Sequence, residues 1–100
     1  VAGTIGLNVS PAFAEEMVVL LNQGKIEEAI QSIRERLDMT PEDDSLHYLM
    51  GNAYRRQSNW PMALEHYAEA VELNPDSPAK QAKAMLTDIL NYRCKELLNP

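Results

Sequence analysis

The sequence predicts an all-α protein of five helices, arranged as two helix hairpins followed by a closing helix. Three observations lead to this prediction: a 34-residue internal repeat, apolar side chains at helical spacing, and turn-forming residues between the apolar stretches. With 100 residues, of which 45% are hydrophobic and 24% charged, the chain is long enough for one small domain. We expect residues 1–9 to be an N-terminal extension and residues 10–98 to form that domain.

The internal repeat is the main signal. Shifting the chain by 34 residues aligns residues 10–41 with residues 44–75, and the aligned pairs are identical or both apolar at positions that packed helices would bury. The identical pairs are Gln23/Gln57, Ala29/Ala63, Glu35/Glu69 and Pro41/Pro75, and the apolar pairs are Leu20/Tyr54, Ile26/Trp60, Ile30/Leu64, Ile33/Tyr67, Leu37/Val71 and Met39/Leu73. We place the first repeat at about residues 10–43, the second at about 44–77 and a capping helix at about 78–98.

Short polar segments mark the predicted helix ends. Residues 57–59 separate the two helices of the second hairpin, with Asn59 as the N-cap of the next helix and Pro61 in its first turn. Residues 22–24 break the first hairpin at the equivalent place. The acidic residues 42–44 open the third helix, where negative charge suits the positive end of the helix dipole.

The last predicted helix follows Ser77 and Pro78 and has one apolar and one charged side. The apolar side carries Ala82, Met85, Leu86, Ile89 and Leu97, and the charged side carries Lys80, Lys83, Asp88, Arg93 and Lys95. A terminal helix of a repeat array needs such a polar outer side for solubility.

The second repeat resembles the tetratricopeptide repeat. The family pattern W-x2-L-G-x2-Y…A-x3-F…P falls on His47, Met50, Gly51, Tyr54, Ala63, Tyr67 and Pro75. The same slots of the first repeat carry Phe13, Glu16, Met17, Leu20, Ala29, Ile33 and Pro41, and Glu16 at an apolar slot is the main departure. The resemblance covers about residues 10–98 and implies a right-handed superhelix of helix hairpins.

The resemblance also implies a function, which is to hold a peptide or protein segment in a concave groove lined by the first helix of each hairpin. Carried over by pattern, the partner-binding residues are Val18, Leu21, Asn22, Tyr48, Asn52, Arg55 and Arg56. Such a surface suits a peptide with an apolar side chain and an acidic group or C-terminal carboxylate, because Arg can bind a carboxylate through two parallel hydrogen bonds. The alternative is that Arg55 and Arg56 only neutralise acidic helix ends.

Composition and motifs argue against other classes of function. The net charge is −6, and an acidic chain is unsuited to nucleic-acid binding. No run reaches the roughly 18 apolar residues of a membrane span, so we expect no membrane insertion. The sequence has no catalytic motif, and His47, His66 and Cys94 lack zinc-ligand spacing. We therefore predict no enzymatic activity, metal or cofactor, with His47 in the core or at its rim and His66 in solvent.

Other roles stay open. Two repeats are fewer than the roughly three usually needed for independent stability, so self-association is an alternative to peptide binding, as is service as the accessory domain of a larger enzyme. Residues 1–9 could occupy the groove of their own or a neighbouring molecule. The lone Cys94 favours a cytoplasmic, reducing compartment, whereas residues 1–14 as the end of a signal peptide would indicate export.

Overall fold

The structure, a computed structural model, describes residues 11–98 and the side chains of residues 11–92. Five helices make up this range: α1 Pro11–Asn22, α2 Ile26–Met39, α3 Asp44–Arg56, α4 Trp60–Leu73 and α5 Ala79–Leu98. Neighbouring helices pack in pairs, with the most extensive contact between α3 and α4, and α1 also touches α3. The predicted all-α fold of five helices is confirmed. None of the helices in this range is both long and apolar enough to cross a membrane.

The two hairpins turn in the same way, 34 residues apart. Gly24 and Ser58 both have a positive φ, of 80° and 62°. In each hairpin the residue after this position donates its backbone N–H to the carbonyl five positions back, at 2.8 Å in the first and 2.9 Å in the second. This is a common way to end a helix with a left-handed residue. The repeat detected in the sequence is therefore repeated in the backbone geometry.

Side-chain caps begin three of the helices. The side chains of Asp43, Asn59 and Ser77 accept backbone N–H groups two or three residues further on, at 2.9, 3.4 and 3.1 Å respectively. These bonds satisfy donors that a helix leaves unpaired at its first turn. Asp43 is only 4% exposed, and burial raises the pKa of its carboxyl group.

A single apolar core runs through the hairpins and reaches the last helix. Its buried members are Phe13, Met17, Leu21, Ala29, Ile30, Ile33, Leu46, Leu49, Met50, Ala53, Tyr54, Ala63, Tyr67, Ala70, Ala79 and Leu86. At Gly51, helix α3 lies so close to α4 that a Cβ atom would be 2.5 Å from two ring carbons of Tyr67. Helices α3 and α4 therefore approach closely at Gly51, and any side chain at this position would displace the Tyr67 ring.

Four apolar side chains that were expected inside are exposed. Met39 and Leu73, a pair related by the repeat, are 80% and 40% exposed, and both are the last residues of their helices, α2 and α4. Met85 and Ile89 are 57% and 43% exposed, whereas Leu86 is buried. Helix α5 packs chiefly against α4, and of the three residues Met85, Leu86 and Ile89 on its predicted apolar side only Leu86 is buried.

The N-terminal extension, residues 1–9, lies outside the described residues, so its predicted place in the groove is untested. The same holds for the side chains of Arg93, Cys94, Lys95 and Leu97.

Candidate functional site

A cavity of about 540 Å³ opens between α1 and α3 at the start of α4. Its lining residues are Val18, Leu21, Asn22, Asn52, Arg55, Arg56 and Trp60. We call this space the α1–α3 cavity. Its volume lies within the range of about 300–1,000 Å³ that is typical of ligand pockets.

The repeat explains which side chains line the α1–α3 cavity. The three residues from α3 lie 34 positions after the three from α1, so the same face of each hairpin's first helix is presented twice. Spacings of three and four residues place the members of each set on one side of a helix. The first helix supplies mainly apolar groups, with Val18 48% exposed and Leu21 6% exposed. The third helix supplies an amide and two guanidinium groups.

Hydrogen bonds hold the polar groups of the cavity in place. The Tyr67 hydroxyl donates to Asn52 Oδ1 at 2.6 Å, which leaves the N–H groups of the Asn52 amide available as donors. Burial raises the pKa of Tyr67, and the nearby Arg55 guanidinium partly opposes this effect, so the hydroxyl remains a donor at neutral pH. Arg56 Nη2 donates to Asn22 Oδ1 and thereby joins α3 to α1.

The charge of the α1–α3 cavity is opposite to that of the chain. Its lining contains two guanidinium groups and no carboxylate, whereas the chain as a whole carries a net charge of −6. Arg56 bonds to an amide oxygen, and among residues 11–92 no hydrogen bond joins Arg55 or Arg56 to a carboxylate. The cavity is therefore a cationic site with an apolar wall, which suits an acidic group beside an apolar one.

Six of the seven residues predicted to bind a partner line the α1–α3 cavity together. The exception is Tyr48, which lies outside this lining and packs its ring against that of Tyr67, with 6.1 Å between centroids. Trp60 was not among the predicted site residues, because its alignment with Ile26 assigned it to the core. Trp60 comes directly after the turn that follows Arg56, and this position could have shown that it lies beside the cavity.

A second cavity, of about 160 Å³, adjoins the first at Arg55 and Trp60. Its other lining residues are Leu86, Ile89 and Leu90, all on the last helix. We call it the α5 cavity. From the sequence, this helix was predicted only to cap the array.

His47 and His66 form a stacked pair on another side of α3 and α4. Their rings lie 5.4 Å apart, their Nδ1 atoms are 3.2 Å apart, and His66 also stacks on Tyr54 at 5.6 Å. His47 Nε2 donates to the Pro41 carbonyl at 3.0 Å, so in the neutral ring its Nδ1 accepts from His66 Nδ1. The prediction that His66 is simply solvated was wrong, because its ring packs against His47 and Tyr54 of α3.

This packing gives a testable pH dependence. Burial, and then His47, lower the pKa of His66 below its ordinary value of 6.5, with Glu65 and Glu69 opposing. The unfolded chain therefore binds a proton that the folded chain does not, and the free energy of unfolding falls as the pH drops below about 6.5. For one titrating group, the free energy of unfolding changes by at most about 1.4 kcal/mol per pH unit.

Urea unfolding at pH 7.5 and pH 5.5 measures this effect. We expect the wild-type midpoint to fall more than that of His66→Gln, which has no titrating ring at this position. The raised pKa of Asp43 acts in the opposite direction in both proteins and cancels in the comparison. An equal loss of stability in the two proteins would contradict the role assigned to His66.

The arrangement of helices and cavity defines a helix-hairpin repeat protein with a groove along the first helix of each hairpin. A family model described as tetratricopeptide repeat matches residues 45–77. The solution NMR structure of the Bacteroides fragilis protein BF1650 is similar over 86% of this chain and 88% of that one, with 48% sequence identity and a TM-score of 0.76. The chain belongs to the tetratricopeptide repeat family. A comparison with curated proteins gives no match.

Tetratricopeptide repeats are generally protein–protein interaction modules and are typically non-catalytic. In the part of the chain whose side chains are described, no group of three or more His, Cys, Asp or Glu residues is placed to hold a metal ion.

Proposed function

We propose that the chain binds a peptide segment of a partner protein in the α1–α3 cavity. Arg55 and Arg56 bind an acidic group of the peptide, Asn52 donates hydrogen bonds to its backbone, and Val18 contacts an apolar side chain. One observation carries the proposal: two guanidinium groups and an oriented amide face one cavity whose lining lacks a carboxylate, in a chain of net charge −6. Charge-assisted hydrogen bonds of this kind contribute about 1.5–3 kcal/mol each.

The arginine contacts support this proposal over the alternative that Arg55 and Arg56 neutralise acidic helix ends. Arg56 donates to Asn22 across the cavity, and Arg55 lies beside the Tyr67 hydroxyl. Neither arrangement uses the acidic first turns of α2 or α3. Both arginines also line the α1–α3 cavity.

Trp60 gives a direct test because it is the single tryptophan of the chain and lines the cavity. The probes are tryptophan-free octapeptide libraries with either an internal Glu and an amidated end, or a free C-terminal carboxylate. We expect at least one library to change the Trp60 fluorescence at micromolar concentration. The double variant Arg55→Ala/Arg56→Ala should weaken the binding by at least about tenfold.

Lys80→Ala/Lys83→Ala is the matched control, since it removes the same charge from exposed positions outside both cavities. It should leave the affinity nearly unchanged, and circular dichroism should show both variants folded. If both variants weakened peptide binding equally, the effect would come from net charge alone, and this would contradict the proposal. Failure of both peptide libraries to bind would also contradict the proposal.

Self-association is a second candidate, favoured by exposed apolar side chains at the two ends of the array. Val19 on α1 is 50% exposed, and Met85 and Tyr92 on α5 are 57% and 71% exposed. Light scattering at the concentrations of the peptide titration separates the two functions. A monomer that binds peptide supports the first, and a dimer that ignores peptide supports the second.

A further inference from the structure

The last helix continues the groove in the register of the two repeats. The residues 34 positions after Asn52 and Arg55 are Leu86 and Ile89, and the residue 34 positions after Arg56 is Leu90. These three are the contribution of α5 to the α5 cavity. Helix α5 is therefore built like the first helix of a third hairpin and adds a third section to the groove.

The α5 cavity has the size and lining of a pocket for one aliphatic side chain. Its volume is about 160 Å³, and Arg55 is its one charged residue, beside three aliphatic side chains and Trp60. An apolar cavity of roughly 150 Å³ is large enough to hold benzene. Leu86 is buried and fixed, while Ile89 is 43% exposed and able to gain contacts when a ligand arrives.

The position of Arg55 determines how far the apolar group lies from the acidic one. Arg55 and Trp60 line both cavities, so an apolar side chain in the α5 cavity lies close to a carboxylate that binds the Arg55 guanidinium group. In an extended peptide, adjacent side chains point to opposite faces, so an acidic neighbour of the apolar residue would point away. The α-carboxylate of a C-terminal residue is attached to the same Cα atom as its side chain and meets this short spacing.

We propose that the α5 cavity is the subsite for a C-terminal aliphatic residue, such as Leu or Ile, whose α-carboxylate binds Arg55. This inference rests on the proposed peptide-binding function and names the class of partner, a protein that ends in an aliphatic residue. The charge of the groove favours this occupant, because a free C-terminus brings a negative charge to a cationic site in an acidic chain.

The test uses the free-acid peptide that changes the Trp60 fluorescence most. This peptide is remade with Leu, Ile or Ser at its C-terminus, and the Leu version is also made as the amide. We expect the Leu and Ile acids to bind at least about tenfold more tightly than the Ser acid, since a leucine side chain is then removed from water. Amidation should weaken the Leu peptide by a similar factor.

Two variants of the full chain test whether the α5 cavity causes the preference for a C-terminal Leu over Ser. Ile89→Ser removes one wall of the α5 cavity and should abolish most of the discrimination between Leu and Ser. Met85→Ser changes an exposed apolar residue of the same helix that does not line the cavity, and it should keep the full discrimination.

The outcomes separate this inference from the proposed function. Peptides that bind through Arg55 and Arg56 without preference at the C-terminal residue would overturn the subsite and leave the function standing. An amide that binds as tightly as the acid, or a preference that survives Ile89→Ser, would also overturn the subsite. If no free-acid or internal-Glu peptide binds, the function and the subsite fail together.

Discussion

Replacing Tyr67 with Ala is expected to lower the free energy of unfolding by about 3–5 kcal/mol. Tyr67 is fully buried and is among the largest side chains without solvent exposure. Its ring lies on α3 at Gly51, where only hydrogen occupies the position of a side chain. Removing the ring leaves a cavity that this close helix pair cannot refill, and it also removes the hydroxyl that bonds to Asn52 at 2.6 Å.

Urea unfolding followed by circular dichroism measures the Tyr67 effect. A domain of this size has a total stability near the low end of about 5–15 kcal/mol, so Tyr67→Ala should be partly unfolded without denaturant. Tyr67→Phe is the matched control, because it keeps the ring and should cost only about 1 kcal/mol for the lost hydrogen bond. A midpoint of Tyr67→Ala within error of wild type would contradict the packing described for α3 and α4.

Replacing Tyr54 with Ala is expected to have a similar effect, about 3–5 kcal/mol, for a different reason. Tyr54 connects the two hairpins: its hydroxyl accepts a hydrogen bond from Arg34 on α2 at 3.1 Å. On the other side its ring stacks on His66 of α4, with an interplanar angle of 14°. Without this ring the second hairpin loses this hydrogen bond to the first, and the cooperative helical melt should be lost or strongly shifted.

Tyr48→Ala serves as the control for Tyr54→Ala. Tyr48 is on the same helix but only half-buried, and no hydrogen bond from its hydroxyl connects it to the first hairpin among residues 11–92. We expect a clearly smaller loss of stability, measured in the same thermal and urea experiments. If Tyr48→Ala costs as much as Tyr54→Ala, the connection between hairpins does not depend on Tyr54 in the way proposed.

The fold was predictable because local and repeat signals agree at the turn between α3 and α4. The turn at residues 57–59, the cap at Asn59 and Pro61 in the first turn all point to one boundary, and the 34-residue shift transfers it to the first hairpin. Exposure was less predictable. Periodicity shows which side chains share a helix face, but it does not show which of them a neighbouring helix covers, and Met39 and Met85 are both exposed.

The candidate site was predictable to the extent that it follows the repeat. The family pattern, carried over to both repeats, assigned Val18, Asn22, Asn52 and both arginines to one surface, and these residues line one cavity in the structure. Trp60 was missed because an aromatic residue at an apolar slot indicates core, and only the turn before it shows that it faces the groove. The α5 residues were missed because the last helix was treated as a cap, although the same 34-residue shift identifies them.

Amide chemical-shift mapping of the ¹⁵N-labelled chain with its best-binding peptide tests the groove most directly. We predict that the largest changes fall on residues 18–22 and 52–56 and on the Trp60 indole N–H, with α2 nearly unaffected. Changes centred on α2 or on the outer side of α4, or spread evenly over the chain, would contradict the central claim that the faces of α1 and α3 form one peptide-binding surface.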